Sequence, residues 1–493
     1  MPHPGSPSAM RARSLLTLLL LGAVAFAGCI GTTTQTSTAP PQQAATSLLA
    51  GPALWNDPQN APHPAWGWAT LSHPPAGEMP YWWQPINATA LPSHITGLDH
   101  LAQAKDNQSK PLNAGAGIAI FGRIAVVPED SQFAHFVDLS NPKAPVEVGR
   151  VESTGRGAAI IAYPNGRLVT AISTTPGFDV IDFTDPTHPV MLNQTETPEG
   201  GHKLGIVPGT PILYNAGSNG GEGGPVNPLG LGPGTCSADI KQCVGYTSIY
   251  NLTDPAHPVL VQKFQNGLSC HHIFFWNNET QGKYRAICAG IQYTQLWDTK
   301  DPLNPKVIVS IPVHTGVANG PSNSLSVEMF SHSAGLSIDG KTLYVGDESG
   351  GGGLPPGCVA SASSPVDGST AGTPIGATWF YDVSTETNPM LLNYFEAPIQ
   401  TTTYTDTAGH LHSTSCTTHH GRLVPDKEGR NLLAMSYYGD GVILVDFTGV
   451  SPANPPKLVA QWQDDSNTWE TWYDQGYLFT GDLARGLDSF TLK

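Results

Sequence analysis

HFVDLSNPKAPVEV (residues 135–148), DVIDFTDPTHPVML (179–192), SIYNLTDPAHPVLV (248–261) and QLWDTKDPLNPKVI (295–308) are versions of one phrase. Looser copies read WFYDVSTETNPMLL from Trp379 and LVDFTGVSPANPPKLV from Leu444. Each runs through an apolar strand, an Asp or Asn, a Pro-containing turn and a second strand. The cause is local: the Asp carboxylate can accept backbone N–H groups in the turn, and a Pro at the head of an outer strand gives up an N–H that no ladder needs. Ahead of the phrases lie hairpin-like pairs of apolar runs, such as AAIIAYPNGRLVTAIS from Ala158, HSAGLSIDGKTLYVGDE from His332 and HGRLVPDKEGRNLLAMS from His420.

Four strands per repeat, repeated radially, make a propeller blade. Asp138, Asp182, Asn251, Asp298, Asp382, Asp446 and Asp488 mark seven units, so the expected fold is an all-β, seven-bladed β-propeller over residues 115–493. The last unit stops after its third strand, and the segment 66–114 is expected to supply the fourth and close the ring. A β-sandwich or β-solenoid is the alternative, disfavoured by short hairpins and uneven repeats. Composition agrees: Gly 54 and Pro 44 make about a fifth of the 493 residues and recur between apolar runs as turns do. A net charge of −16, with no basic run beyond the N-terminus, excludes nucleic acid as the expected partner.

The N-terminus reads as an address. Arg11 and Arg13 precede an apolar run over residues 15–27, too short to span a bilayer comfortably. It ends Phe26-Ala27-Gly28-Cys29, which resembles a bacterial-type lipobox, making 1–28 a signal peptide and Cys29 the lipidated residue. Phe26 stands where Leu is usual, so plain secretory cleavage and an uncleaved anchor stand beside lipidation. Residues 29–65, rich in Thr, Ser, Gln and Pro, read as a disordered tether. The expected location is the cell surface, lipid-anchored to the cytoplasmic or outer membrane. The six remaining cysteines fit an oxidising compartment. Their expected pairs are Cys236 with Cys243, Cys270 with Cys288, and Cys358 with Cys416.

The phrases resemble the repeat of the LVIVD-repeat proteins, from about residue 115 to the C-terminus. SCHHIFFW, FSHSAGLSIDGKTLYVGDESGGGG, SCTTHHGRLVP and AMSYYGDGVILVDF are similar to blocks in secreted members of that family. The resemblance implies a propeller and export, and it brings no catalytic residues.

In a blade the first strand lines the central channel and the chain zigzags outward. The hairpins at residues 164–166, 208–209 and 339–340 share one face with the Asp-Pro turns, and both are short. The opposite face is expected to carry the insertions 217–244, 315–330, 349–376 and 399–418, as binding loops on a scaffold do. Histidines open the inner strands toward that face: His202, His271 or His272, His332, and His419 or His420. Matching positions on successive blades lie at similar heights around one axis, so these imidazoles are expected to converge at the channel mouth.

Neutral imidazole suits transition metals such as Cu, Fe or Zn. The competing reading is that each histidine bonds a neighbouring carbonyl and locks a blade. Blades one, two and seven carry no such histidine, and Glu470 is the nearest polar group in the seventh. Propellers with axial His-bound metal, such as carotenoid oxygenases and the selenium-binding/methanethiol oxidase type, are an analogy of architecture without a sequence match. Asp347, Glu348, Asp440 and Asp482 follow second strands, with turn capping as their expected role. Tyr437, Tyr438, Trp469 and Trp472 are expected to pack between blades, and His314, His410 and His412 to be solvated.

The function expected is a surface-tethered propeller binding a transition metal, an oxidoreductase on a small compound. The rivals are a module holding a protein or glycan on its looped face, and a structural envelope protein. The anchor is testable apart from the site. Cys29→Ser is expected to move the protein from the detergent phase to the aqueous phase, because acyl chains supply the membrane affinity. An unchanged detergent-phase fraction would assign the anchoring to the apolar run.

Overall fold

The repeated Asp shows why the chain folds in units. In the computed structural model Asp138, Asp182, Asn251, Asp298, Asp382 and Asp446 each accept, through Oδ1, the backbone N–H two residues ahead, at 2.8–2.9 Å. Each cap ends a third strand and reverses the chain into an outer strand headed by Pro.

The structure describes residues 97–493 apart from 164, 198, 218–245, 267–269, 279–280, 291–292, 313–329, 349–375, 398–402, 406–410, 414–416, 427 and 464–465. The expected signal peptide, Cys29, the expected tether, most of the insertions, His314, His410, Cys236, Cys243, Cys358 and Cys416 therefore lie outside the described residues.

The described strands form seven four-stranded antiparallel sheets and no helix. The first blade is β2 (Ala119–Phe121), β3 (Ile124–Pro128), β4 (Phe133–Asp138) and β5 (Val146–Glu152). The second is β6 (Gly155–Ala162), β7 (Leu168–Thr174), β8 (Gly177–Asp182) and β9 (Val190–Glu196). The third is β10 (Lys203–Ile206), β11 (Ile212–Ala216), β12 (Thr247–Asn251) and β13 (Val259–Phe264). The fourth is β14 (Cys270–Asn278), β15 (Lys283–Gly290), β16 (Tyr293–Asp298) and β17 (Lys306–Pro312). The fifth is β18 (Phe330–Leu336), β19 (Thr342–Glu348), β20 (Thr378–Asp382) and β21 (Met390–Phe395).

A small hairpin, β22 (Thr403–Thr405) with β23 (Leu411–Ser413), interrupts the next link, which the sequence suggested was plain loop. His412 falls in β23. The sixth blade is β24 (Gly421–Val424), β25 (Leu432–Ser436), β26 (Val442–Asp446) and β27 (Lys457–Trp462). The seventh is β28 (Thr468–Asp474), β29 (Tyr477–Asp482) and β30 (Gly486–Leu492), with β1 (Leu98–Gln103) as its outer strand.

Burial follows this order outward. The middle strands β7, β11, β25 and β26 are almost wholly buried, whereas outer strands expose alternate apolar residues such as Val190, Val259 and Met390. The inter-blade core falls into several clusters, the largest running from Ala104 to Leu492 with Phe136 packed on Phe183 and Phe380 on Phe447, and others joining blades two to three and three to four. Tight turns after the inner strands use Gly166 (φ 90°) and Gly340 (φ 70°), a left-handed conformation that glycine adopts without a Cβ clash. A Cβ on Gly340 would also strike the Trp276 ring at 2.5 Å.

Closure corrects one expectation. Asp488 is no turn cap: it lies at the other end of its strand, opposite Thr480 of β29 and Gln103 of β1. Arg485 donates to it at 2.8 and 2.9 Å, and His100 of β1 contacts it at 2.7 Å. A seventh cap has no place, because β30 runs into the C-terminus where the other blades turn. Instead Gly97 and Lys493 exchange backbone bonds of 2.9 and 3.1 Å.

Cys270 and Cys288 form a disulfide across β14 and β15, with Cα atoms 5.3 Å apart. The chain-entropy cost of an 18-residue separation predicts that Cys270→Ala/Cys288→Ala loses about 3 kcal/mol of unfolding free energy. Denaturant titration of the variant against the oxidised protein checks this. Equal midpoints would show that the ladder alone holds these strand heads.

Candidate metal centre

Neighbouring residues on a regular strand point to opposite faces, so only one histidine of each doublet should reach the channel. The heads of the inner strands break that rule. The ladder skips a residue between Gly155 and Gly157, Cys270 and His272, Ser331 and Ser333, and Thr468 and Glu470. The bulged residues are Arg156, His271, His332 and Trp469. At the head of blade six, His419 donates its N–H to Ser436 O and His420 accepts from Ser436 N, so both oppose one residue. His202 takes the corresponding place beside β10, its N–H on Ala216 O. Bulges of this kind re-aim side chains.

The result is two layers. The upper runs around the axis as Arg156, His202, His271, His332, His419 and Trp469. Ring centroids are 3.8 Å apart for His202–His271, 4.3 Å for His271–His332, 4.0 Å for His332–His419 and 4.3 Å for His419–Trp469. The lower contains Lys203, His272, His420 and Glu470, with His272 and His420 4.8 Å apart. His420 also joins the layers, at 4.7 Å from His332 and 4.2 Å from His419. All six histidines singled out in the sequence therefore lie in one contiguous cluster. Gly117 and Gly157 make room in the lower layer: a Cβ on Gly117 would meet Glu470 Oε2 at 3.1 Å, and one on Gly157 would meet Lys203 Cδ at 3.0 Å.

His271, His272, His332, His419 and His420 are buried, and His202 is half-buried. Burial holds the five buried imidazoles well below the ordinary histidine pKa, with neighbouring cations and imidazoles adding to the effect on most of them. Burial pushes His202 down to about 4, against the opposing bond to the His271 carbonyl. The cluster is thus neutral at physiological pH, the form that ligates metals. Hydrogen bonds fix two tautomers. A carbonyl only accepts, so His202 Nδ1–H donates to His271 O (3.1 Å) and His419 Nδ1–H to Trp469 O (2.5 Å). Each Nε2 is left with its lone pair, as in metal-binding histidines oriented by a backbone carbonyl.

The donors fit a metal. His332, His419 and His420 each offer a ligand atom within 4.8 Å of the others, and so do His271, His332 and Glu348. His272 Nδ1 and both ring nitrogens of His420 are buried without a hydrogen-bond partner among the described residues. Each such atom costs about 1–3 kcal/mol unless something takes its bond.

Some of the surrounding residues take roles beyond those expected, and others keep them. The Glu348 carboxylate lies 3.4 Å from His332 Nε2 and accepts from Tyr438 OH, while the turn it was expected to cap lies outside the described residues. Tyr438 adopts a left-handed φ of 47° and its ring packs 4.9 Å from His419, so it and Trp469 belong to the site rather than only to blade packing. Asp347 accepts from the Trp379 indole at 2.5 Å. Asp482 does cap its turn, accepting from Ala484 N and Arg485 N, and also accepts from Asn467 N ahead of β28; burial raises it to about 7. Burial lifts Asp440 to about 8. Tyr437 is buried beside Thr378, and Trp472 lies under the Arg422 guanidinium at 4.9 Å, both as packing residues.

Sequence reasoning missed the cations. Lys203 and Arg422 are both buried and both bind Glu470, Arg422 at 2.8 Å, while Ile118 N donates to the same carboxylate at 3.1 Å. This leaves a net single positive charge beneath the histidines. Lys203 directly follows His202, and that adjacency was the available signal.

No protein-family model matches this sequence, and no curated protein matches it. Among solved structures, the chain is similar to the β-propeller domain of Cps50 (Swd1) from Myceliophteria thermophila at 9% identity and a TM-score of 0.43, over 82% of this chain and 100% of that one. Sqt1 of Saccharomyces cerevisiae gives 10% identity and a TM-score of 0.43, again over 82% and 100%. A hypothetical selenium-binding protein from Sulfolobus tokodaii gives 12% identity and a TM-score of 0.38, over 76% of this chain and 78% of that one. Likeness at this level bears on no residue of the site.

Proposed function

We propose that this chain is an exported, surface-tethered member of the LVIVD-repeat proteins that holds a transition metal, Cu, Fe or Zn, in its channel and acts as an oxidoreductase on a small compound. The observation that carries the reading is the buried histidine cluster that brings two three-donor sets together at His332, with the His419 Nε2 lone pair fixed by a carbonyl bond at its Nδ1. His332 is the pivot, since it belongs to both three-donor sets; His419 and His420 complete one, His271 and Glu348 the other. Bound copper or iron would supply one-electron exchange, and zinc Lewis acidity. Tyr438 orients the Glu348 carboxylate, Trp469 and the blade walls exclude water from His419, and the Lys203–Glu470–Arg422 layer places positive charge below. That charge favours the reduced, less positive state of a redox metal.

Metal analysis of protein purified without an affinity tag tests the reading, with about one equivalent of Cu, Fe or Zn expected. His332→Ala is expected to abolish occupancy. The separate losses in His419→Ala and His271→Ala report which set holds the ion. Protein that stays metal-free after reconstitution would reject the reading in favour of a binding module on the looped face. Tyr438→Phe is expected to weaken affinity roughly 10–100-fold, the usual cost of removing an outer partner of a ligating carboxylate. An unchanged affinity would remove Glu348 from the ligand set.

A further inference from the structure

The six histidines differ in reach. Five are buried, and His202 alone among them keeps a minor part of its surface exposed. His202 also lines a cavity of about 590 Å³ at the heads of blades two and three, on the face opposite the Asp turns. That volume lies within the range of small-molecule sites. Its walls are polar: Thr154, Ser173 and Thr175 line it with glycine backbone, and Pro176 is the one apolar side chain among the lining residues.

Charge around the cavity is uneven. Asp130, Glu196 and Glu199 stand among the lining residues against one cation, Arg156, and of the three Glu196 is exposed. Arg156 is paired with Asp130 at 2.5 Å, and its guanidinium reaches over the Trp469 ring at 5.7 Å. Glu199 is built in, accepting from Asn215 Nδ2 at 3.1 Å and Tyr246 OH at 3.0 Å while itself buried. We infer that this cavity is the vestibule through which a small, polar, amine-bearing molecule reaches the histidine cluster, with His202 as the point of entry. Glu196 meets the ammonium while the buried Glu199 adds negative potential behind the wall, and the absence of large apolar side chains among the lining residues disfavours lipids and hydrocarbons. What happens past His202 rests on the metal reading; the passage does not.

Passage is therefore tested on metal-free full-length protein with diethyl pyrocarbonate, a small electrophile that modifies neutral imidazoles. Peptide mapping is expected to find His202 modified ahead of His332 and His420. Thr175→Trp or Thr154→Trp, each filling the cavity from its wall, is expected to slow His202 roughly tenfold, a barrier of about 1.4 kcal/mol. His188 and His257, exposed beside the Asp turns on the other face, should keep their rates and serve as internal controls for folding. Tetramethylammonium is expected to protect His202 and sulfate is not; the reverse order would overturn the amine assignment. If His202 reacts no faster than His332, or the tryptophan variants leave its rate unchanged, the route is wrong. On Cu(II)-loaded protein the same variants should slow imidazole ligation, read in the copper absorption band, without changing copper stoichiometry. Unslowed ligation would place the access elsewhere, whereas labelling as expected on protein that takes no copper would leave the vestibule standing and remove the metal.

Discussion

The skipped residue at the heads of four inner strands is the constraint on which the site depends. A regular strand gives the channel every second side chain, so each blade would place one group per level and hide its neighbour. Bulging at Arg156, His271, His332 and Trp469 lets two consecutive residues serve the axis. His271 and His272, or His419 and His420, can then occupy two layers. The blades otherwise repeat the same strand scheme, so the site's individuality lies in which side chains fill these paired positions.

The filling is uneven around the ring, and that unevenness gives the site direction. Histidines occupy the upper layer from blade three to blade six, flanked by Arg156 and Trp469. Small residues in blades one and two leave the lower layer open to Glu470 and Lys203, which meet across the channel. Burying that charge is costly unless every partner is satisfied. Glu470 answers with two cations and a backbone N–H. Neutral imidazoles above a net positive layer form an environment in which adding protons is disfavoured, which is consistent with their depressed basicity.

How much of this could be read from the sequence follows from how local each feature is. The six turn caps were legible because an Asp bonding two residues ahead involves only its own turn. The histidine register was legible for the same reason, counted back from those turns along short strands. Asp488 was misread because LDSFTLK carries the letters of the phrase without the turn that gives them meaning. Glu348 and Tyr438 were read as cap and packing because their meeting with His332 and His419 joins blades five and six, a tertiary contact with no sequence spacing. The bulges have no local signature either, so the doublets His271-His272 and His419-His420 could not be resolved into layers beforehand.

The way the ring is closed has a mechanical consequence. β1 starts opposite Leu492, at the end of the seventh blade that carries the turns, and runs up toward the histidine end, where Gln103 meets Asp488. The described chain thus begins at Gly97, on the outer rim of the turn face. A force along the strand from that point loads the β1–β30 ladder in shear, because its hydrogen bonds lie perpendicular to the strands and share the strain together. The clasp resists such a pull as a set rather than opening one bond at a time.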